Sequence, residues 1–82
     1  MAAKNSQEKI CGRVADILRQ EREKRGLSMN QVAERAGLSQ QMVSYVERQM
    51  RNPTLETVLR MAAAIEIEFI DVLRRATKTA KK

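Results

Sequence analysis

SMNQVAERAGLSQQMVSYVERQM, residues 28–50, is the stretch that decides the fold. Met29, Val32, Ala33 and Ala36 form an apolar stripe at helical spacing. Ser28 stands where a helix N-cap belongs, and Gln31 follows three residues on, the spacing of a capping box. Gly37-Leu38 stops this helix, and Ser39 is suited to cap another that reaches about Gln49. Two helices joined by so short a turn must cross steeply, as in a helix-turn-helix.

The flanks extend the pattern. Upstream, Ile10, Val14, Ile17 and Leu18 recur at helical spacing. That first helix stops at Gly26-Leu27, where Lys24 and Arg25 complement its dipole. Downstream, Asn52-Pro53-Thr54 breaks the chain; either Asn52 or Thr54 can cap a fourth helix, with Pro53 tolerated in its first turn. Leu55, Val58, Leu59, Ala62 and Ile65 supply its stripe. A fifth helix begins near Glu68, with Phe69, Val72, Leu73 and Ala76 on one face. No segment alternates with period two, so no strand is expected. The expectation is a compact all-α, five-helix domain over residues 9–76. Residues 1–8 are read as a flexible segment and residues 77–82 as a basic tail.

Composition narrows the function. The 82 residues suit one small domain, which buries only roughly 60% of its unfolded surface. There is no histidine and one cysteine, Cys11. This count excludes an intrachain disulfide, an ordinary Cys/His zinc site and any His-dependent catalytic triad. No phosphate-cradling GxxxxGK loop occurs, and the two aspartates, Asp16 and Asp71, fall on different helices. The expectation is therefore no enzyme, no cofactor and no metal. No apolar run approaches the ~20 residues of a membrane span, and the first ten residues hold no signal-peptide core. A cytoplasmic location without membrane contact is expected. The formal net charge is +6. Much of it sits at one end, in Arg74, Arg75, Lys78, Lys81 and Lys82. Net charge alone says little about the partner.

The third helix is more informative. On a wheel, Val43, Val46 and Met50 cluster on one side. Gln40, Gln41, Ser44, Tyr45 and Arg48 occupy an arc of about 140° opposite. That arc contains no carboxylate, which would face phosphates. Gln bonds bidentately to adenine in the major groove and Arg to guanine. Tyr45 adds a hydroxyl, and a ring edge for a thymine methyl. A strip of this kind suits reading DNA and suits an ordinary solvated helix face equally; the Ser-capped helix–Gly–helix geometry beside it favours DNA.

With these motifs in place, the chain resembles the lambda-repressor-like helix-turn-helix family of the Cro/xenobiotic-response-element type. The resemblance runs from about Val14 to Leu73. It is carried by RxxRGLS (Arg22 to Ser28), QVAERAGLS (Gln31 to Ser39), QxxVSYVER (Gln40 to Arg48), RNPTLETVLRMAAAI (Arg51 to Ile65) and FIDVL (Phe69 to Leu73). The chain is similar to short phage repressors and to the controller proteins of restriction–modification systems. The resemblance implies five helices with the third in the major groove. It implies that Gln40, Gln41, Ser44 and Tyr45 face bases, while Ser28, Ser39, Arg48, Arg51 and Asn52 lie near phosphates. It also implies a structural ion pair between Arg22 and Glu47. The chain departs from the family pattern at four positions. Gln49 and Glu66 stand where glycine is usual after the third and fourth helices. Met29 replaces a common phosphate-touching Gln, a role Asn30 or Gln31 can take. Ile70 falls where the family is usually polar.

Magnitudes favour two copies. Three or four base contacts at about 1–3 kcal/mol each leave one module short of the roughly 4–10 kcal/mol of specific binding. Ile67 and Ile70 have no evident place in the core, and with Phe69 they are the expected dimer interface. The expected function is a sequence-specific double-stranded DNA-binding transcriptional regulator. It would act as a homodimer on a pseudo-palindromic operator, controlled by its own concentration. The rival is an antitoxin or adaptor of the same fold whose main partner is another protein.

Overall fold

The computed structural model describes the backbone of residues 2–50 and 53–80, and the side chains of residues 9–50 and 53–78. Five helices follow in order: α1 Ala2–Lys24, α2 Met29–Ala36, α3 Gln40–Glu47, α4 Leu55–Ile65 and α5 Phe69–Ala80. No strand occurs among the described residues. Helix α1 is already formed at Ala2, and α5 continues to Ala80. Residues 2–8 are thus helical within α1 and residues 77–80 within α5, while residues 1, 81 and 82 lie outside the described residues.

Local chemistry fixes the helix starts. Ser28 Oγ accepts the Gln31 N–H at 3.0 Å, and Gln31 Oε1 accepts the Ser28 N–H at 2.8 Å, closing a capping box. Ser39 Oγ accepts the Met42 N–H, and Thr54 Oγ1 accepts the Thr57 N–H. Thr54, not Asn52, is therefore the N-cap of α4, and Pro53 precedes the helix instead of sitting in its first turn.

One device ends α1 through α4. A left-handed residue is followed by an apolar one whose N–H reaches back five residues, which is a Schellman motif. Leu27 bonds to Arg22 O, Leu38 to Ala33 O, Met50 to Tyr45 O and Ile67 to Ala62 O. Gly26 and Gly37 supply the first two left-handed positions. Gln49 and Glu66 supply the others at φ 60° and 68°. Helix α3 thus ends at Glu47, with Arg48 as its C-cap, short of the expected Gln49.

The core is aliphatic. Leu18, Val32, Val43, Val46, Met61, Ile65 and Val72 are its largest fully buried side chains. Each contributes about 1.5–3 kcal/mol by leaving water. Helix α1 packs most extensively against α5, and α2 lies between α3 and α4. Two arginines tie α2 to α4 reciprocally. Arg35 Nη1 donates to Ala64 O near the end of α4, and Arg60 Nη1 donates to Ala36 O at the end of α2. Both charges sit at helix C-termini, where cations are stabilised.

Four residues expected on core-facing stripes lie outside. Leu55 is 64% exposed, Leu59 44%, Leu73 36% and Met50 60%. Met50 leaves the core because left-handed Gln49 turns the chain away from α3. The three leucines lie at the edges of stripes whose centres, Val58, Ala62, Val72 and Ala76, take up the contact with the core.

Candidate nucleic-acid interface

Helix α3 is held from behind. Val43 and Val46 are buried under it, and Glu47 is 6% exposed. The Glu47 carboxylate accepts two bonds from one guanidinium: Arg22 Nε at 2.7 Å and Arg22 Nη2 at 3.0 Å. Arg22 Nη1 donates to Leu27 O at 2.8 Å, so the same side chain also fixes the turn before α2. This bidentate pair raises the Arg22 pKa further above its ordinary value. Beside it, the Glu21 carboxylate accepts from Arg25 and from Arg75 Nη1 at 3.0 Å, joining α1 to α5. The bonds from Arg25 and then Arg75 hold the Glu21 pKa below its usual value. Neighbouring residues of α1 therefore grip α3 and α5.

With Val43, Val46 and Glu47 turned inward, the opposite side of α3 faces outward. Gln40, Gln41 and Arg48 are exposed, and Ser44 and Tyr45 are half-buried. Gln41 Nε2 donates to Tyr45 Oη at 2.7 Å, one turn along the helix. No carboxylate lies between Gln40 and Tyr45 on this face. Ser28 and Asn30 are exposed at the start of α2, and Ser39 is exposed at the start of α3. The hydroxyls of Ser28 and Ser39 are engaged in capping. Met29 is half-buried and packs against the core. Arg51 and Asn52 fall outside the described residues.

A second surface is apolar. Ile70 is 59% exposed on α5, while Ile67 and Phe69 are half-buried against the core. Leu55 and Leu59 on α4 and Leu73 on α5 are exposed as well. Leu59, Ala63, Ile67 and Phe69 line a shallow groove between the two helices. Sequence reasoning singled out Ile67, Phe69 and Ile70 but placed the three leucines in the core. The available signal was their position at the margins of stripes too wide for one small core to cover.

Among the described residues, no group of Cys, Asp and Glu side chains is placed to hold a metal ion. No helix among them is long and apolar enough to cross a membrane. Cys11 is a free thiol on the surface of α1.

A helix-turn-helix family model matches residues 18–72, from the middle of α1 into α5. The uncharacterized HTH-type transcriptional regulator y4dJ of Sinorhizobium fredii is 34% identical over 58 residues, covering 71% of this chain and 75% of that protein. The HTH-type transcriptional regulator SutR of Escherichia coli is 31% identical over 62 residues, 76% of this chain but 35% of its own length. Among solved structures, the restriction–modification controller protein C.Esp1396I superposes with a TM-score of 0.79 at 19% identity, over 89% of this chain and 96% of that one. A point mutant of it bound to its operator site OM gives 0.80 at the same identity, over 90% of this chain and 97% of that one. At that identity, the likeness is one of fold.

Proposed function

The chain belongs to the helix-turn-helix family, whose relatives are named transcriptional regulators, and from that premise we propose that it binds double-stranded DNA in a sequence-specific way as a homodimer. The outward face of α3 carries this reading. A row of Gln40, Gln41, Ser44 and Tyr45 without a carboxylate offers donors and acceptors to base edges in the major groove. The resemblance to Cro-type proteins assigns the flanking roles. Ser28, Asn30, Ser39, Arg48, Arg51 and Asn52 contact phosphates, helped by the backbone N–H groups that open α2 and α4. Arg22 and Glu47 hold the reading helix in place and touch no base.

The second copy docks through α4 and α5. Leu55, Leu59, Ile70 and Leu73 are large apolar side chains left exposed on these two helices, and Leu59 meets the half-buried Ile67 and Phe69 in one groove, the kind of apolar surface that marks an interaction site. Two copies related by a two-fold axis present two α3 helices to a pseudo-palindrome with half-sites about one turn apart. Protein concentration then sets dimerisation and occupancy together. The terminal basic residues Lys78, Lys81 and Lys82 add a sequence-independent attraction to the phosphates.

Selection of bound duplexes from a random pool tests this directly. A two-fold symmetric site is expected, and Gln40→Ala should cost about 1–3 kcal/mol and relax preference at one or two base pairs. A pool that stays random, with a second protein co-purifying in stoichiometric amount, would favour an adaptor or antitoxin instead.

A further inference from the structure

The two glutamines at the front of α3 are not equivalent. The Gln40 side chain makes no hydrogen bond among the described residues, whereas Gln41 is tied by its amide to the Tyr45 hydroxyl at 2.7 Å. Both partners belong to the same α-helix, one turn apart, so the tie exists before any ligand arrives.

Resting on the DNA-binding reading above, we infer that Gln41 and Tyr45 act as one composite reader that selects adenine at a single base pair of each half-site, with Tyr45 as the positioning residue. A free carboxamide offers two N–H donors and one oxygen acceptor. Here one N–H is spent on Tyr45 Oη. What remains for the groove is one donor beside one acceptor. Adenine presents the complement of that pair, an N7 acceptor and an N6 donor. Guanine presents two acceptors, N7 and O6, and would leave the Gln41 oxygen facing another oxygen. The tie therefore removes the second N–H that a glutamine needs to satisfy guanine. It also restricts a long side chain whose ordering would otherwise oppose binding. Tyr45 is half-buried and Gln41 exposed, so Tyr45 is the stiffer partner and Gln41 the one that is held. Gln40, without such a tie, adapts to more than one base.

The test is selection from a random duplex pool, repeated with Gln41→Ala, Tyr45→Phe and the double variant. Tyr45→Phe keeps the ring and removes only the hydroxyl. The wild type is expected to enrich adenine at one position per half-site. Gln41→Ala should erase preference there and nowhere else. Tyr45→Phe should reduce adenine-over-guanine discrimination at the same position by about two- to tenfold, the worth of one hydrogen bond. The double variant should lose no more than Gln41→Ala alone, the signature of coupled residues. Thermal unfolding of all variants should match the wild type, because both side chains lie on the outward face.

Enrichment of guanine at the Gln41 position would overturn the inference. So would a Tyr45→Phe effect at a different base pair, a uniform loss at every position, or losses that add in the double variant. Failure of the wild type to enrich any sequence would instead remove the DNA-binding reading on which the inference rests.

Discussion

Gln49 and Glu66 carry left-handed backbone at φ 60° and 68° without being glycine. Such a residue is disfavoured by roughly 1–2 kcal/mol, because its Cβ crowds the following carbonyl. Gln49 has a compensating contact: its side chain lies so close over Gly12 of α1 that a Cβ there would meet Gln49 Oε1 at 2.9 Å. That approach also accounts for a glycine inside a helix. Glu66 is exposed and makes no comparable contact. Glu66→Gly should therefore raise unfolding free energy by about 1 kcal/mol in urea denaturation, while Gln49→Gly should gain less. Equal gains, or a loss at Glu66, would contradict this account. Glu21 makes a prediction in pH. Its carboxyl is held below the usual range by Arg25 and Arg75. Its contribution is complete above the unfolded value, roughly 4.3, and disappears as pH falls through the lower folded value. Glu21→Gln should lower stability at neutral pH and flatten the acid limb of the stability curve. A limb as steep as that of the wild type would show that other carboxylates set it.

At the scale of elements, α1 is the fixture to which α3 and α5 are fastened. Arg22 fastens α3 through Glu47, and Glu21 fastens α5 through Arg75. Removing one partner of the Arg22–Glu47 pair leaves the other buried and uncompensated. Arg22→Ala should cost about 3–5 kcal/mol in chemical denaturation, and replacing both residues with apolar ones of similar size should cost much less. If the single and double variants lose equally, the side chains matter for packing and not as an ion pair. Much of the α2–turn–α3 unit was legible in the sequence because its determinants are local. Ser28, Gln31, Gly37 and Ser39 each act within four residues of their own position. The end of α3 was not legible, since nothing in the side chain of Gln49 announces a left-handed backbone; the Schellman bonds and Gly12 on another helix support it. The exposure of Leu55, Leu59 and Leu73 was hidden for a related reason. Periodicity gives the direction of an apolar stripe, but how much of its width is covered depends on which neighbours arrive. The Gln41–Tyr45 bond lay within a face already identified, yet only coordinates show that two members of that face are joined.

For the whole molecule, the outward side of α3 and the exposed apolar surface of α4 and α5 must work together if the protein is a regulator. In the proposed reading neither suffices alone: one face would supply too few base contacts for specificity, and the other would have no role in an isolated subunit. Ile70→Glu places a charge in the proposed dimer surface at a position already exposed in the subunit, so folding should survive. Sedimentation should then show a folded monomer, with operator affinity reduced well beyond any change in stability. A wild type that is monomeric at micromolar concentration would contradict the two-copy account. The central claim concerns the groove in which α3 lies. It is tested most directly by measuring affinity for the selected duplex after single purines are replaced by 7-deaza analogues, which lack the major-groove N7 acceptor. The account predicts losses of about 1–3 kcal/mol at the few purines facing α3 and none elsewhere. Unchanged affinity at every purine, with binding abolished by a ligand that fills the minor groove, would contradict it.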